Sequence, residues 1–138
     1  MVKKFVLLLL ASLMVACGKG QTTTAPSTTA TSPATEVFAS AVYPQGVSTQ
    51  TFVAAQAGTI SVALTTVGPI PTTALGLGLG VPNSTAPVCR LTITVHATAG
   101  PSALITAAAD AGTYCVAVYD IGFVPASGAS FSVSVVHP

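Results

Sequence analysis

Gly112-Thr113-Tyr114-Cys115-Val116-Ala117-Val118-Tyr119-Asp120 is the stretch on which the reading of this chain turns. Its side chains alternate in character with the period of two that a β-strand imposes. Tyr114, Val116 and Val118 share one face; Cys115, Ala117 and Tyr119 share the other. Ala111-Gly112 supplies a turn before it and Asp120-Ile121-Gly122 a turn after it. The strand also carries one of the chain's 3 cysteines. It reads as the spine of a β-domain.

Outward from this strand, short alternating runs are separated by Gly, Pro, Asn and Ser from Glu36 onward. Strands are expected at Val37 to Val42, Gln50 to Ala55, Thr59 to Thr66, Thr73 to Leu79, Cys89 to Ala97, Ala103 to Ala108, Thr113 to Tyr119 and Ser130 to Val136. Ile60, Val62 and Leu64 form one apolar set; Leu91, Ile93 and Val95 form another, and Phe131, Val133 and Val135 a third. Such sets meet in a core between two sheets. The expected fold is therefore all-β, a single two-sheet antiparallel sandwich of jelly-roll-like type over residues 36–138. Ala103 to Ala111 is Ala-rich but short, and reads as strand or irregular rather than helix. Leu75-Gly76-Leu77-Gly78-Leu79-Gly80 is unusual, because strand interiors normally avoid glycine. Either a ligand or backbone approaches closely there, or a neighbouring loop covers the outer face; the second reading is preferred.

Composition narrows the class. Charged residues are 5% of the 138, against roughly 25% in an ordinary globular protein. The surface must be built from hydroxyls, small side chains and backbone, which suits an exported β-protein better than a cytosolic enzyme. Net charge is +1, with Lys3 and Lys4 at one extreme, so no clustered basic footprint for nucleic acid exists. Mean hydropathy is +0.78, yet no run of ~18 apolar residues marks a spanning helix.

The first residues carry the most specific signal. Met1-Val2-Lys3-Lys4 is a basic start, and Phe5 to Val15 is an apolar block broken only by Ser12. Ala16-Cys17 follows, so residues 1–16 read as an export signal helix cleaved between Ala16 and Cys17. Leu13-Met14-Val15-Ala16-Cys17 resembles a bacterial lipoprotein box, with Met14 where Leu is usual. That resemblance implies a diacylated Cys17, carrying chains such as palmitate, at the start of the mature protein. Each buried methylene contributes ~0.8 kcal/mol, so several acyl chains hold a protein to a bilayer durably. The alternative is an ordinary secretory signal with Cys17 incidental. Residues 17–35 then form a tether, of which Gln21 to Thr35 is nearly all Thr, Ser, Ala and Pro. It cannot bury a core and is expected to be disordered. It is read as a bare linker rather than a glycosylated stalk. The expected location is the periplasmic face or the cell surface, with the lipid bilayer as partner.

Cys89 and Cys115 remain, and in an oxidising compartment a leftover pair is expected to form a disulfide. The parity resists, since Cys89 shares a face with Leu91, read as core-facing, while Cys115 opposes Tyr114 and Val116. A bulge near Cys89 or an inverted strand is required. Neither His96 nor His137 has metal-ligand spacing with a cysteine, so no metal is assigned.

Strongly titratable groups in the domain are Glu36, Arg90, His96, Asp110, Asp120 and His137. No nucleophile-elbow signature accompanies them. Asp110 and Asp120 read as turn residues, His96 as a surface residue, and His137 beside Pro138 as a frayed one. No catalytic residue and no cofactor is assigned, and an enzyme is not expected. Aromatics able to stack on a sugar are Tyr43, Tyr119 and Phe123. Tyr119, Asp120 and Phe123, at the loop end of the opening strand, are the candidate ligand contacts.

Thr51-Phe52-Val53 through Ala57-Gly58-Thr59-Ile60-Ser61-Val62, then Leu75-Gly76-Leu77, then the Ala111-Gly112-Thr113-Tyr114 strand, and finally Phe131-Ser132-Val133-Ser134-Val135 resemble, in order, the bacterial pre-peptidase C-terminal domains. The resemblance covers most of Phe38 to His137. It implies a small secreted jelly-roll-like β-sandwich, non-catalytic, accompanying proteases or standing alone, and in some members binding polymers or Ca²⁺. Glycines stand here where that family's leucine-rich strand carries acidic residues, so the resemblance does not carry a Ca²⁺ site over. The expected function is a membrane-anchored, non-catalytic envelope lipoprotein. The alternatives are a polysaccharide- or protein-binding adhesion module and an accessory domain of an exported enzyme system.

Overall fold

The computed structural model describes residues 32–85, 88–102 and 104–138. The signal segment, Cys17 and the tether up to residue 31 lie outside them. Eight strands follow in chain order: β1 Ala34–Val42, β2 Val47–Ala54, β3 Gly58–Gly68, β4 Leu75–Pro82, β5 Cys89–Ala97, β6 Ile105–Ala109, β7 Gly112–Tyr119 and β8 Ala129–His137. They form two four-stranded antiparallel sheets, β1-β8-β3-β6 and β2-β7-β4-β5. β1 pairs with β8, β2 with β7, β3 with β6 and β4 with β5. The chain is thus one long hairpin, turning between β4 and β5 and wrapped so that successive pairs alternate between sheets. That winding is the jelly-roll order.

Each expected strand is present, β5 with its expected bounds and the others with shifted ones. β1 starts at Ala34, inside the stretch assigned to the tether, and β2 starts at Val47 rather than Gln50. The Ala-rich run is strand from Ile105. Ile60, Val62, Leu64, Leu75, Leu77, Val116, Val118, Phe131, Val133 and Val135 meet in the core between the sheets. Each fully buried Leu or Val contributes roughly 1.5–3 kcal/mol relative to exposure.

Two bulges, each centred on a threonine, adjust the faces. In β3 the pairing with β8 shifts between Leu64 and Thr66, and the Thr65 hydroxyl donates to the Ser132 carbonyl at 3.0 Å. In the β4–β5 ladder the shift lies between Leu79 and Gly80, which face Ile93 and Leu91 respectively. Thr92 is the extra residue, and its hydroxyl donates to the Leu79 carbonyl at 3.1 Å. A one-residue insertion inverts parity beyond it. Val95 therefore packs on the core, whereas Leu91 turns outward. The grouping of Leu91 with Ile93 and Val95 is corrected accordingly, and the parity conflict at Cys89 is resolved by the bulge.

Beyond the bulge Cys89 and Cys115 are bonded, with Cα atoms 5.7 Å apart. With Ala117 they form a second buried cluster on the outer face of the β2-β7-β4-β5 sheet, capped by Leu91. The glycines of β4 permit this. A Cβ at Gly76 would run into the Tyr119 ring, one at Gly78 into the Leu91 side chain, and one at Gly80 into the Arg90 carbonyl. The cover over β4 comes from the flanking strands and not, as expected, from a loop.

The disulfide spans a sequence separation of 26. In the chain-entropy view, closing such a loop contributes about 3.5 kcal/mol. Replacing both cysteines by alanine should lower the unfolding free energy by about that amount, with the transition still cooperative. Chemical denaturation of the oxidised, reduced and doubly substituted proteins measures it; equal midpoints for all three would contradict this role.

Candidate functional site

Strand directions separate the sandwich into two ends. Ala34 lies beside His137, so the chain enters at one end, here the near end. The β2–β3, β4–β5 and β6–β7 connections lie there too. The β1–β2, β3–β4, β5–β6 and β7–β8 connections lie at the far end. Charge is divided between the ends. Among the described residues, Glu36, Arg90 and Asp110 lie towards the near end, and Asp120 is the charged side chain at the far end.

Asp120 is bound into its own loop. Its Oδ1 accepts from the backbone N–H groups of Gly122, Phe123 and Val124 at 2.7, 3.0 and 3.1 Å. Its Oδ2 accepts from Gln45 N–H at 2.9 Å, and Asp120 N–H donates to the Gly46 carbonyl at 3.1 Å. One carboxylate thereby joins the β7–β8 loop to the β1–β2 turn. Gln45 and Gly122 have φ of 59° and 98°, the left-handed region that such tight turns need. The N–H donors, with Gln45 first and Val124 next, hold the Asp120 pKa below its ordinary value against a smaller opposing effect of burial.

The loop so fixed presents Phe123, 67% exposed. Ile70, 50% exposed, lines the same shallow depression with Thr72, Thr73 and Ala74. Tyr43, 60% exposed, stands against Gly128 in the adjoining turn. The far end is therefore apolar and aromatic. The three sequence candidates separate there. Phe123 is at the tip, Asp120 holds the tip in place, and Tyr119 lies half-buried across Gly76 on the sheet's outer face. Ile70 was missed, because nothing in the sequence places it beside a residue 53 positions later; only the winding does.

His137 is not frayed. It is buried, its Nε2 lies 3.0 Å from Glu36 Oε1, and its ring packs on Phe52 at 5.1 Å between centroids. Its Nδ1 lies 3.4 Å from the Pro138 carbonyl, and that carbonyl accepts from Ala55 N–H. With both ring nitrogens so placed, neither faces a serine hydroxyl as a triad base must. The pair ties edge strand β1 to β8. His96 is exposed on β5, in the row of Gly76 and Tyr119. Among the described residues no group of three or more His, Cys, Asp or Glu side chains lies together as a metal site would require.

A groove of about 330 Å³ opens between β1 and β2. Its floor is Phe38, Val116, Val118, Phe131 and Val133, and Ser40, Ser48 and Gln50 stand along its rim. The Ser48 hydroxyl donates to that of Ser40 at 3.1 Å.

No protein-family model matches the chain, and no curated protein matches it. The resemblance to pre-peptidase C-terminal domains rests on its motif order.

A depressed folded-state pKa stabilises above the unfolded value and is lost as pH falls through the folded one. The Asp120 clamp should thus hold at neutral pH and weaken progressively below about pH 4. Asp120→Ala should speed amide exchange at Gln45, Gly122, Phe123 and Val124 at pH 7, leaving β8 protected. Hydrogen exchange read by NMR checks it; unchanged rates at those four amides would refute the clamp.

Proposed function

We propose that the chain is an exported lipoprotein held to a bacterial membrane through acylated Cys17, presenting a non-catalytic β-sandwich on a Thr/Ser/Pro-rich tether. The observation that carries this reading is the polarity of the sandwich. The chain enters at the near end, and the exposed aromatics stand at the far end. An N-terminal anchor would direct Tyr43, Ile70 and Phe123 away from the bilayer. The disulfide supports the same compartment, since such bonds persist where thiols are oxidised. The likeness in motif order to pre-peptidase C-terminal domains belongs to this proposal.

The far end, as a binding surface, suits an uncharged partner. Among the described residues its one carboxylate is engaged by backbone donors, so none of them offers a free charge to select a charged ligand. Aromatic side chains stack on sugar rings and pack against apolar protein surface alike. An uncharged polysaccharide is the reading that Tyr43 and Phe123 favour, with an envelope protein or an exported enzyme as the other partners of this class.

Metabolic labelling with a clickable fatty acid tests the anchor. The wild type should be labelled and membrane-bound, and Cys17→Ser should be unlabelled and released. Persistent labelling of Cys17→Ser would remove the anchor from the account. For the far end, glycan-array binding should be lost in Tyr43→Ala/Phe123→Ala while the melting temperature is kept; binding unchanged in that variant would exclude this surface.

A further inference from the structure

The sandwich has four edge strands, and they are not treated alike. An edge strand offers a row of backbone donors and acceptors to any other strand, and proteins that stay single blunt such edges. On one side of this sandwich both edges are blunted. β6 is only five residues long. β5 is bent by the Thr92 bulge and carries Arg90 and His96. On the other side neither edge is protected. β1 runs nine residues in unbroken register with β8, and β2 runs eight in unbroken register with β7.

Neither β1 nor β2 contains Lys, Arg or Pro. Glu36 is their one charged residue, and its carboxylate is engaged by His137. Val37 of β1 is 66% exposed and Val47 and Val53 of β2 are exposed too, so each edge offers small β-branched side chains. Both edges flank the same groove, whose floor is the apolar interior. Among the described residues no strand pairs with the outer edge of either.

We infer that this side of the sandwich is an interface that takes a second copy of the chain, joined edge to edge. A two-fold axis perpendicular to the sheets sets β1 antiparallel to β1 of the partner and β2 antiparallel to β2 of the partner in one operation. Each four-stranded sheet then continues into the partner's sheet, and the two grooves close on each other. The argument for a second copy over another partner is self-complementarity. Two edges on one side, both free of Lys, Arg and Pro and lying in two stacked layers, match their own two-fold image in both layers at once. A single foreign strand would satisfy one. The charges permit it as well: with β1 antiparallel to its image about its centre at Phe38, Glu36 faces Ser40 of the partner subunit rather than the partner subunit's Glu36. This interface does not depend on the anchor or on the far-end surface.

Sedimentation of the full chain in density-matched detergent tests the inference. The wild type should be a dimer. Val37→Lys/Ala39→Lys places two charges on exposed positions of β1 and should raise the dissociation constant by about tenfold or more, with the circular dichroism of a folded β-protein retained. Thr94→Lys/His96→Lys on β5 should leave the dimer unchanged. Amides on the outer edge of β1 should be protected from hydrogen exchange in the wild type and lose that protection in the β1 lysine variant. A wild type that stays monomeric to its solubility limit would overturn the inference. So would a dimer untouched by the β1 lysines, or one broken by the β5 pair. A monomer whose β1 amides become protected only when envelope extract is added would make this side a docking edge for a different chain.

Discussion

The architecture hangs on the bare outer face of β4. Leu75, Leu77 and Leu79 fill the core from a central strand, while Gly76, Gly78 and Gly80 leave the opposite face without side chains. Into that space lie the Tyr119 ring, the Leu91 side chain and the Arg90 carbonyl. The last of these lies at the Thr92 bulge, where the β5 register shifts against Gly80. The same bulge turns Cys89 to the outer face, over Cys115. Leucine-glycine alternation, bulge and disulfide are one device. It gives the sheet a buried layer on each side, which compensates a domain that has no Trp and little charge.

Much of this was legible in the chain. Period-two alternation located the strands, because one face of each must meet the core, and Ile60-Ser61-Val62 or Phe131-Ser132-Val133 leave no other choice. The surplus cysteine pair pointed to the disulfide for chemical reasons. Strand order was not legible, since pairing partners such as Ala34 and His137 stand a hundred residues apart and no local pattern encodes them. The bulge was visible only as a conflict of parity at Cys89. His137 was misread because burial of an imidazole at the end of a strand depends on Glu36 and Phe52, which the winding delivers. Asp120 was legible as a turn residue, but its fourth donor, Gln45, comes from another turn.

The same winding sorts the surface into regions of different character. The near end receives the chain and, among the described residues, holds Glu36, Arg90 and Asp110. The far end gathers Tyr43, Ile70 and Phe123 from three connections and engages its carboxylate with backbone N–H donors. One side has blunted edges and the other has open ones. A domain with so few charged residues has little means of keeping other molecules off by electrostatic repulsion. Where it does place protection, at β5 and β6, the contrast with β1 and β2 becomes informative about use.

The most direct measurement of the central claim is a set of single alanine substitutions at glycines, read by chemical denaturation. Gly76→Ala, Gly78→Ala and Gly80→Ala should each lose about 1–3 kcal/mol through overpacking, with Gly80 the worst because a backbone carbonyl cannot rotate away as Leu91 or Tyr119 can. Gly100→Ala, where an added methyl meets no atom within 4 Å, should change stability by about 0.5 kcal/mol or less. If alanine at all three β4 positions is tolerated as well as at Gly100, the outer layer is not packed on β4 and the account is wrong.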